Sequence, residues 1–91
     1  MGKTSATRRV TITNPTGLHA RPSLAIVNTV KQHRSKVTVR KDDQVVNAGD
    51  ILQLLTLGAT QGTELVLSAK GPDAEQVLAA LAELFAQGFG L

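Results

Sequence analysis

A chain whose hydrophobic period switches back and forth between strand and helix values cannot be an all-helical bundle or an all-strand barrel, and this sequence switches along its length. Residues 9–13, Arg-Val-Thr-Ile-Thr, alternate apolar and polar, the pattern of a half-buried strand with Val10 and Ile12 inward. The cluster Asn14-Pro15-Thr16-Gly17 ends it, because these are turn residues and proline cannot extend a central strand. From 20 to 33 the apolar positions Leu24, Ile26, Val27 and Val30 recur at helical spacing, with Pro22 tolerated only in the first turn.

Residues 36–40 alternate again, Lys41-Asp42-Asp43 is a hairpin turn, and residues 44–47 form the antiparallel return strand. Asp50 is placed to cap a short helix running to Leu57, with Gly58 where a left-handed residue closes it. Residues 62–70 make a fourth strand, with Leu65, Leu67 and Ala69 on one face. Gly71-Pro72-Asp73 starts a last helix with an apolar stripe of Val77, Leu78, Leu81, Leu84 and Phe85, ended by Gly88.

The order is βαββαβα. Four alternating strands have one apolar face each and three amphipathic helices one stripe each, so the economical packing is a four-stranded sheet with the helices on one side. The fold class is therefore α+β, a two-layer sandwich forming one domain over residues 8–91, after an unstructured lead-in over 1–7. Cysteine is absent, which excludes disulfides and thiolate metal sites. No apolar run approaches the roughly 20 residues of a membrane span, and the first ten residues lack a signal-peptide core, so a soluble protein is expected.

Charge is segregated. Residues 1–41 hold nine Lys and Arg and no acid, whereas the remainder holds Lys70 against seven acids. A basic half suggests an anionic partner, and a basic nucleic-acid-binding module is one reading. Against it, the only aromatics are Phe85 and Phe89, both in the acidic half, so the basic half has no platform for stacking bases.

Without cysteine, histidine is the best nucleophile at neutral pH. His33 falls at the end of the first helix beside Arg34, where a surface role suffices. His19 follows a tight turn and directly precedes the helix, beside the amides of Ala20, Arg21 and Ser23. One reading makes it a plain helix-capping residue. The other makes it a phosphoryl acceptor: the helix N-terminus and Arg21 would stabilise the added charge, and a hydroxyl such as Thr16 or Ser23 would donate. No metal-ligand spacing involves His19, and no Gly-rich nucleotide loop is present, so phosphate would come from another protein. Residues 51–57, Ile-Leu-Gln-Leu-Leu-Thr-Leu, are too apolar for a two-turn helix that buries one face. Either Leu52 and Leu55 stay exposed as a docking patch, or the helix is wholly buried beneath the last one.

The hexapeptide Gly17-Leu18-His19-Ala20-Arg21-Pro22, after a Thr-Ile-Thr strand, and the stretch TLGATQGTELVLSAKG at 56–71 resemble HPr, the histidine-containing phosphocarrier family of the bacterial phosphoenolpyruvate-dependent phosphotransferase system. The similarity runs from Val10 to about Gly88. It implies an open-faced β-sandwich and a cytoplasmic, monomeric phosphocarrier in sugar uptake, not an enzyme and without cofactor or metal. His19 would accept a phosphoryl group on Nδ1 from phosphorylated enzyme I and pass it to an enzyme IIA domain. Arg21 would assist transfer, Thr16, Ala20 and Ser23 would bind the phosphoryl group, and Leu24, Lys31, Ile51, Leu52 and Leu55 would dock partners.

Lys31 and Arg34, with Arg21, are expected to surround the site and steer acidic partners, which leaves Arg8, Arg9, Arg40 and Lys41 unassigned. The sequence departs from the family at Gly49-Asp50, where many members carry a serine phosphorylated by a regulatory kinase. That regulation is therefore not expected here. A nitrogen-related branch and HPr domains fused to larger phosphotransfer proteins stand as alternatives to sugar transport.

Overall fold

A computed structural model describes residues 4–91. Its elements run β1 (Ser5–Thr11), α1 (Ala20–Lys31), β2 (Lys36–Lys41), β3 (Gln44–Asn47), α2 (Ile51–Thr56), β4 (Glu64–Lys70), α3 (Ala74–Ala86) and a closing 3₁₀ turn, η1 (Gly88–Gly90). The four strands form one antiparallel sheet in the order β1-β4-β2-β3. This is the expected α+β architecture: one face of the sheet carries the three helices and the other is open.

Alternation decides which face is which. Val10, Val37, Val39, Val46, Leu65, Leu67 and Ala69 are buried toward the helices, and they meet Ile26, Val27 and Val30 of α1, Leu54 of α2, and Val77, Leu78, Leu81 and Phe85 of α3 in one core. Each of the Val, Leu, Ile and Phe side chains among them contributes roughly 1.5–3 kcal/mol on leaving water. Leu84 is only partly buried, and Leu24 turns outward at 49% exposure, so α1 buries a narrower stripe than its composition suggests.

Strand β1 begins earlier than expected. Ser5, Ala6 and Thr7 pair with Lys70, Ala69 and Ser68, so the lead-in over 1–7 does not hold for Ser5–Thr7. Ser5 and Thr7 are exposed and Ala6 is only partly buried, so this edge stretch carries a weak alternation and is held in place by backbone pairing. Residues 1–3 of the lead-in lie outside the described residues. Helix α1 ends at Lys31 rather than His33, whose Nδ1 donates to the Thr29 carbonyl at 2.7 Å.

Two polar links fix the ends of the helical layer. Lys41 donates through Nζ to the Leu57 carbonyl at 2.9 Å, closing the C-terminus of α2. Asp73 stands at the N-cap of α3 yet its side chain caps nothing in it; its carboxylate accepts from the Arg34 amide at 2.9 Å and from the Ser35 hydroxyl. The Ser35 bond, then the Arg34 amide, hold the Asp73 carboxyl below its ordinary pKa.

Candidate phosphoryl-acceptor site

The segment between β1 and α1 is held at both ends. Asn14 is 1% exposed, and its Nδ2 donates to the Gly17 carbonyl at 2.8 Å and to Thr16 Oγ1 at 3.4 Å. The Gly17 amide returns to the Asn14 carbonyl at 3.2 Å, closing a tight turn. Gly17 has φ +67°, and a Cβ there would collide with the Ala59 carbonyl, so only glycine fits. Leu18 is buried, and its amide donates to that same Ala59 carbonyl at 3.0 Å. A rigid loop therefore delivers His19 to the start of α1.

His19 occupies the N-cap position with extended backbone (φ −89°, ψ −162°), and its carbonyl accepts the first helical bond, from Ser23, at 3.1 Å. Its side chain makes no capping bond. The imidazole is exposed and has no hydrogen-bond partner among the described residues. The capping reading thus holds for the backbone and fails for the ring. The amides of Ala20 and Arg21 likewise have no acceptor among the described residues, and Pro22 brings none. An exposed nucleophile stands beside two free N–H groups and the positive end of a helix dipole, the setting that receives an anion.

Arg21 is exposed and free of any ion pair or hydrogen bond among the described residues. It lines a groove of about 300 Å³ with Pro22, Leu24, Ala25, Asn28 and Phe89. Phe89 packs edge-on against Phe85, ring centroids 4.9 Å apart, and so builds the groove wall from the far end of the chain. Thr16 is exposed, and its hydroxyl hydrogen is left available while the oxygen accepts from Asn14. Ser23 is different. It is fully buried, its amide belongs to the helix, and its hydroxyl donates to the Leu18 carbonyl at 3.4 Å, so it is removed from the phosphoryl-binding set.

Leu52 and Leu55 are 72% and 38% exposed, while Leu54 is buried; of the two readings for α2, the exposed patch is what the fold contains. Ile51 is half-buried, and α1, which carries exposed Leu24, packs against α2. Lys31 lies at the opposite end of α1 from His19, about 18 Å away at the helical rise. Arg34 follows it. Lys31 and Arg34 therefore do not surround His19: among the described residues Arg21 is the cation of α1's first turn, and of the cations left unassigned Arg9 and Arg40 lie, with Lys36, on the open sheet face. Asn14 belongs to the site although it is not among the residues expected from sequence; Asn-x-x-Gly, an asparagine poised to bond its own backbone, signals the clamp. Phe89 carried no local signal.

Taken together, an open-faced α+β sandwich with an unpartnered histidine at the mouth of a helix defines a small module with a nucleophile placed where an anionic group can be received. Residues 6–87 match the family model described as "PTS HPr component phosphorylation site". The chain is 38% identical over 79 residues to a phosphocarrier protein HPr of Chlamydia muridarum, covering 87% of this chain and 76% of that protein. It is 42% identical over 83 residues to a multiphosphoryl transfer protein of Haemophilus influenzae, covering 88% of this chain and 17% of that protein. Among solved structures, an HPr from Thermoanaerobacter tengcongensis superposes with TM-score 0.91 at 40% identity, covering 94% and 97% of the two chains. The chain belongs to the HPr family of the phosphotransferase system. It spans about a fifth of the length of the multiphosphoryl transfer proteins it matches.

Proposed function

We propose that this protein is a phosphocarrier that takes a phosphoryl group from phosphorylated enzyme I onto His19 and passes it to an enzyme IIA domain. The observation that carries this reading is the exposed, unbonded His19 ring beside the free amides of Ala20 and Arg21. In the first step the lone pair of His19 Nδ1 attacks the donor's phosphorus; the N–P bond of the donor phosphohistidine breaks and its electron pair stays on the departing ring. In the second, a histidine of the acceptor attacks the same phosphorus, and His19 leaves as neutral imidazole. No net proton or electron is consumed.

The phosphorylated ring gains up to two negative charges. The amides of Ala20 and Arg21 and the Arg21 guanidinium would neutralise them, with Thr16 as an added donor. Leu24, Ile51, Leu52 and Leu55 form the partner surface, and Lys31 borders it at a distance. His19 turns over no substrate by itself, so the protein is a carrier and not an enzyme. Sugar uptake in the cytoplasm, as a monomer, is the setting this reading favours; the identity to multiphosphoryl transfer proteins favours, as a second reading, the same module working within a longer phosphotransfer chain. Incubation with phosphoenolpyruvate and enzyme I should add one acid-labile phosphate, and His19→Ala should add none. Label that persists in the variant would overturn the assignment.

A further inference from the structure

The face of the sheet that carries no helix is built from Ser5, Thr7 and Arg9 of β1, Glu64, Val66, Ser68 and Lys70 of β4, Lys36, Thr38 and Arg40 of β2, and Val45 and Asn47 of β3. Their registers arrange them in rows across the strands. Lys36 lies opposite Lys70. The next row is Thr7, Ser68, Thr38 and Asn47. In the row beyond, Arg9 and Arg40 flank Val66. Two pairs of cations thus stand about 13 Å apart along the strands, with a hydroxyl row between them.

This arrangement is costly for the fold itself. Like charges directly opposite each other on neighbouring strands repel, and neither Lys36 nor Lys70 has a hydrogen bond or ion pair among the described residues. Glu64 offsets only Arg9, in an exposed pair at 3.4 Å, and the Arg40 guanidinium donates to the backbone carbonyl of Asp42. The hydroxyls of Ser5, Thr7, Thr38 and Ser68 make no hydrogen bond among the described residues, and with Lys36 and Lys70 they line a groove of about 490 Å³. Unspent donors and unpaired cations are complementary to carboxylates. The face carries no aromatic ring, so nucleobases find nothing to stack on.

We propose that the open sheet face is a second docking surface, for an acidic polypeptide segment that lies along the strands with carboxylates about four residues apart. In an extended chain that spacing spans about 13 Å and sets one acidic cluster on Lys36 and Lys70 and the other on Arg9 and Arg40. The surface lies across the sheet from the layer that holds His19, Leu52 and Leu55, so such a partner is bound without covering them.

The test is a titration followed by backbone amide NMR, with three probes: a capped peptide Glu-Asp-Ser-Gly-Glu-Asp, the same residues with the four acids contiguous, and hexathymidylate. The spaced peptide should shift the amides of β1, β2 and β4, leave those of Ala20 and Arg21 in place, and bind more tightly than either control. The double variant Lys36→Glu, Lys70→Glu should weaken binding of the spaced peptide by about tenfold or more. The single variant Lys36→Glu turns a repulsive pair attractive and should raise Tm by about 2–4 °C, showing that the substitution leaves the fold intact. Shifts centred on Ala20 and Arg21, equal binding of the two peptides, unchanged affinity in the double variant, or tighter binding of hexathymidylate would each overturn the proposal.

Discussion

At the N-terminus of α2 the Asp50 carboxylate accepts from the amides of Leu52 and Gln53 at 3.0 and 3.2 Å, whereas at the N-terminus of α1 the His19 side chain accepts from none. The two helices pack against each other, and each begins with a residue in extended conformation whose carbonyl takes the first helical bond. They differ in what the side chain does with the next amides. Asp50 satisfies them, which contributes roughly 0.5–2 kcal/mol to folding. His19 leaves them open, and α1 forgoes that stabilisation. A closed helix start serves the fold, and an open one beside a nucleophile leaves amides to which an anion can bind. Helix α3 is a third case: Asp73 sits at its cap but spends its carboxylate on the connection between α1 and β2.

The difference can be broken from the α1 side by removing the cation of its first turn. Arg21→Ala should slow phosphoryl transfer to His19 by about tenfold to a hundredfold in a single-turnover assay. Because the side chain is exposed and unbonded, Tm should move by less than about 2 °C. A parallel loss of stability and rate would place Arg21 in the fold instead.

Next comes the clamp that presents His19. Asn14→Ala deletes the donor to the Gly17 carbonyl and should cost about 1–3 kcal/mol by urea denaturation. Amide shifts should appear across residues 16–21 while β3 and α3 stay fixed. A stability loss with those amides unmoved would show that Asn14 does not position the loop.

Exchanging the two helix starts sharpens the comparison further. His19→Asp should cap α1 and raise stability by about 0.5–2 kcal/mol, as it abolishes phosphorylation. Asp50→Ala should lower stability by a similar amount. If His19→Asp left stability unchanged, the amides of α1 would not be open.

The smallest effect belongs to Asp73. Its depressed carboxyl pKa means that its contribution is fully present above the unfolded value, near 3.9, and is lost as pH falls through the folded value. Asp73→Asn should therefore flatten the loss of stability below about pH 4 and leave the slope at pH 6–8 unchanged. An unaltered acid limb would remove the Ser35 and Arg34 bonds as its cause.

Much of the fold is legible in the sequence, for identifiable physical reasons. Periodicity reports burial, so the strands around Val10, Val37 and Leu65 and the stripe of α3 were visible. Cap chemistry is local, so Asp50 and the loop before His19 were visible too. What was hidden depends on pairing across the sheet or on the path of a side chain. Ser5–Thr7 join β1 through backbone bonds to β4 and bury little. Ser23 is four residues from His19 in sequence, yet helical geometry turns its hydroxyl inward to the Leu18 carbonyl. Lys36 and Lys70 are far apart in the chain and meet only because β2 and β4 are neighbours. Reading Lys31 and Arg34 as neighbours of His19 fails for a different reason: they stand at and beyond the far end of α1, a helix length away.

The open start of α1 is tested most directly by recording backbone amide spectra before and after enzymatic phosphorylation of the protein. The amides of Ala20 and Arg21 should move strongly downfield as they take the phosphoryl oxygens, while those of Leu52 and Gln53, already held by Asp50, stay in place. Phosphorylation at His19 that leaves Ala20 and Arg21 unmoved, or that moves the two pairs alike, would contradict it.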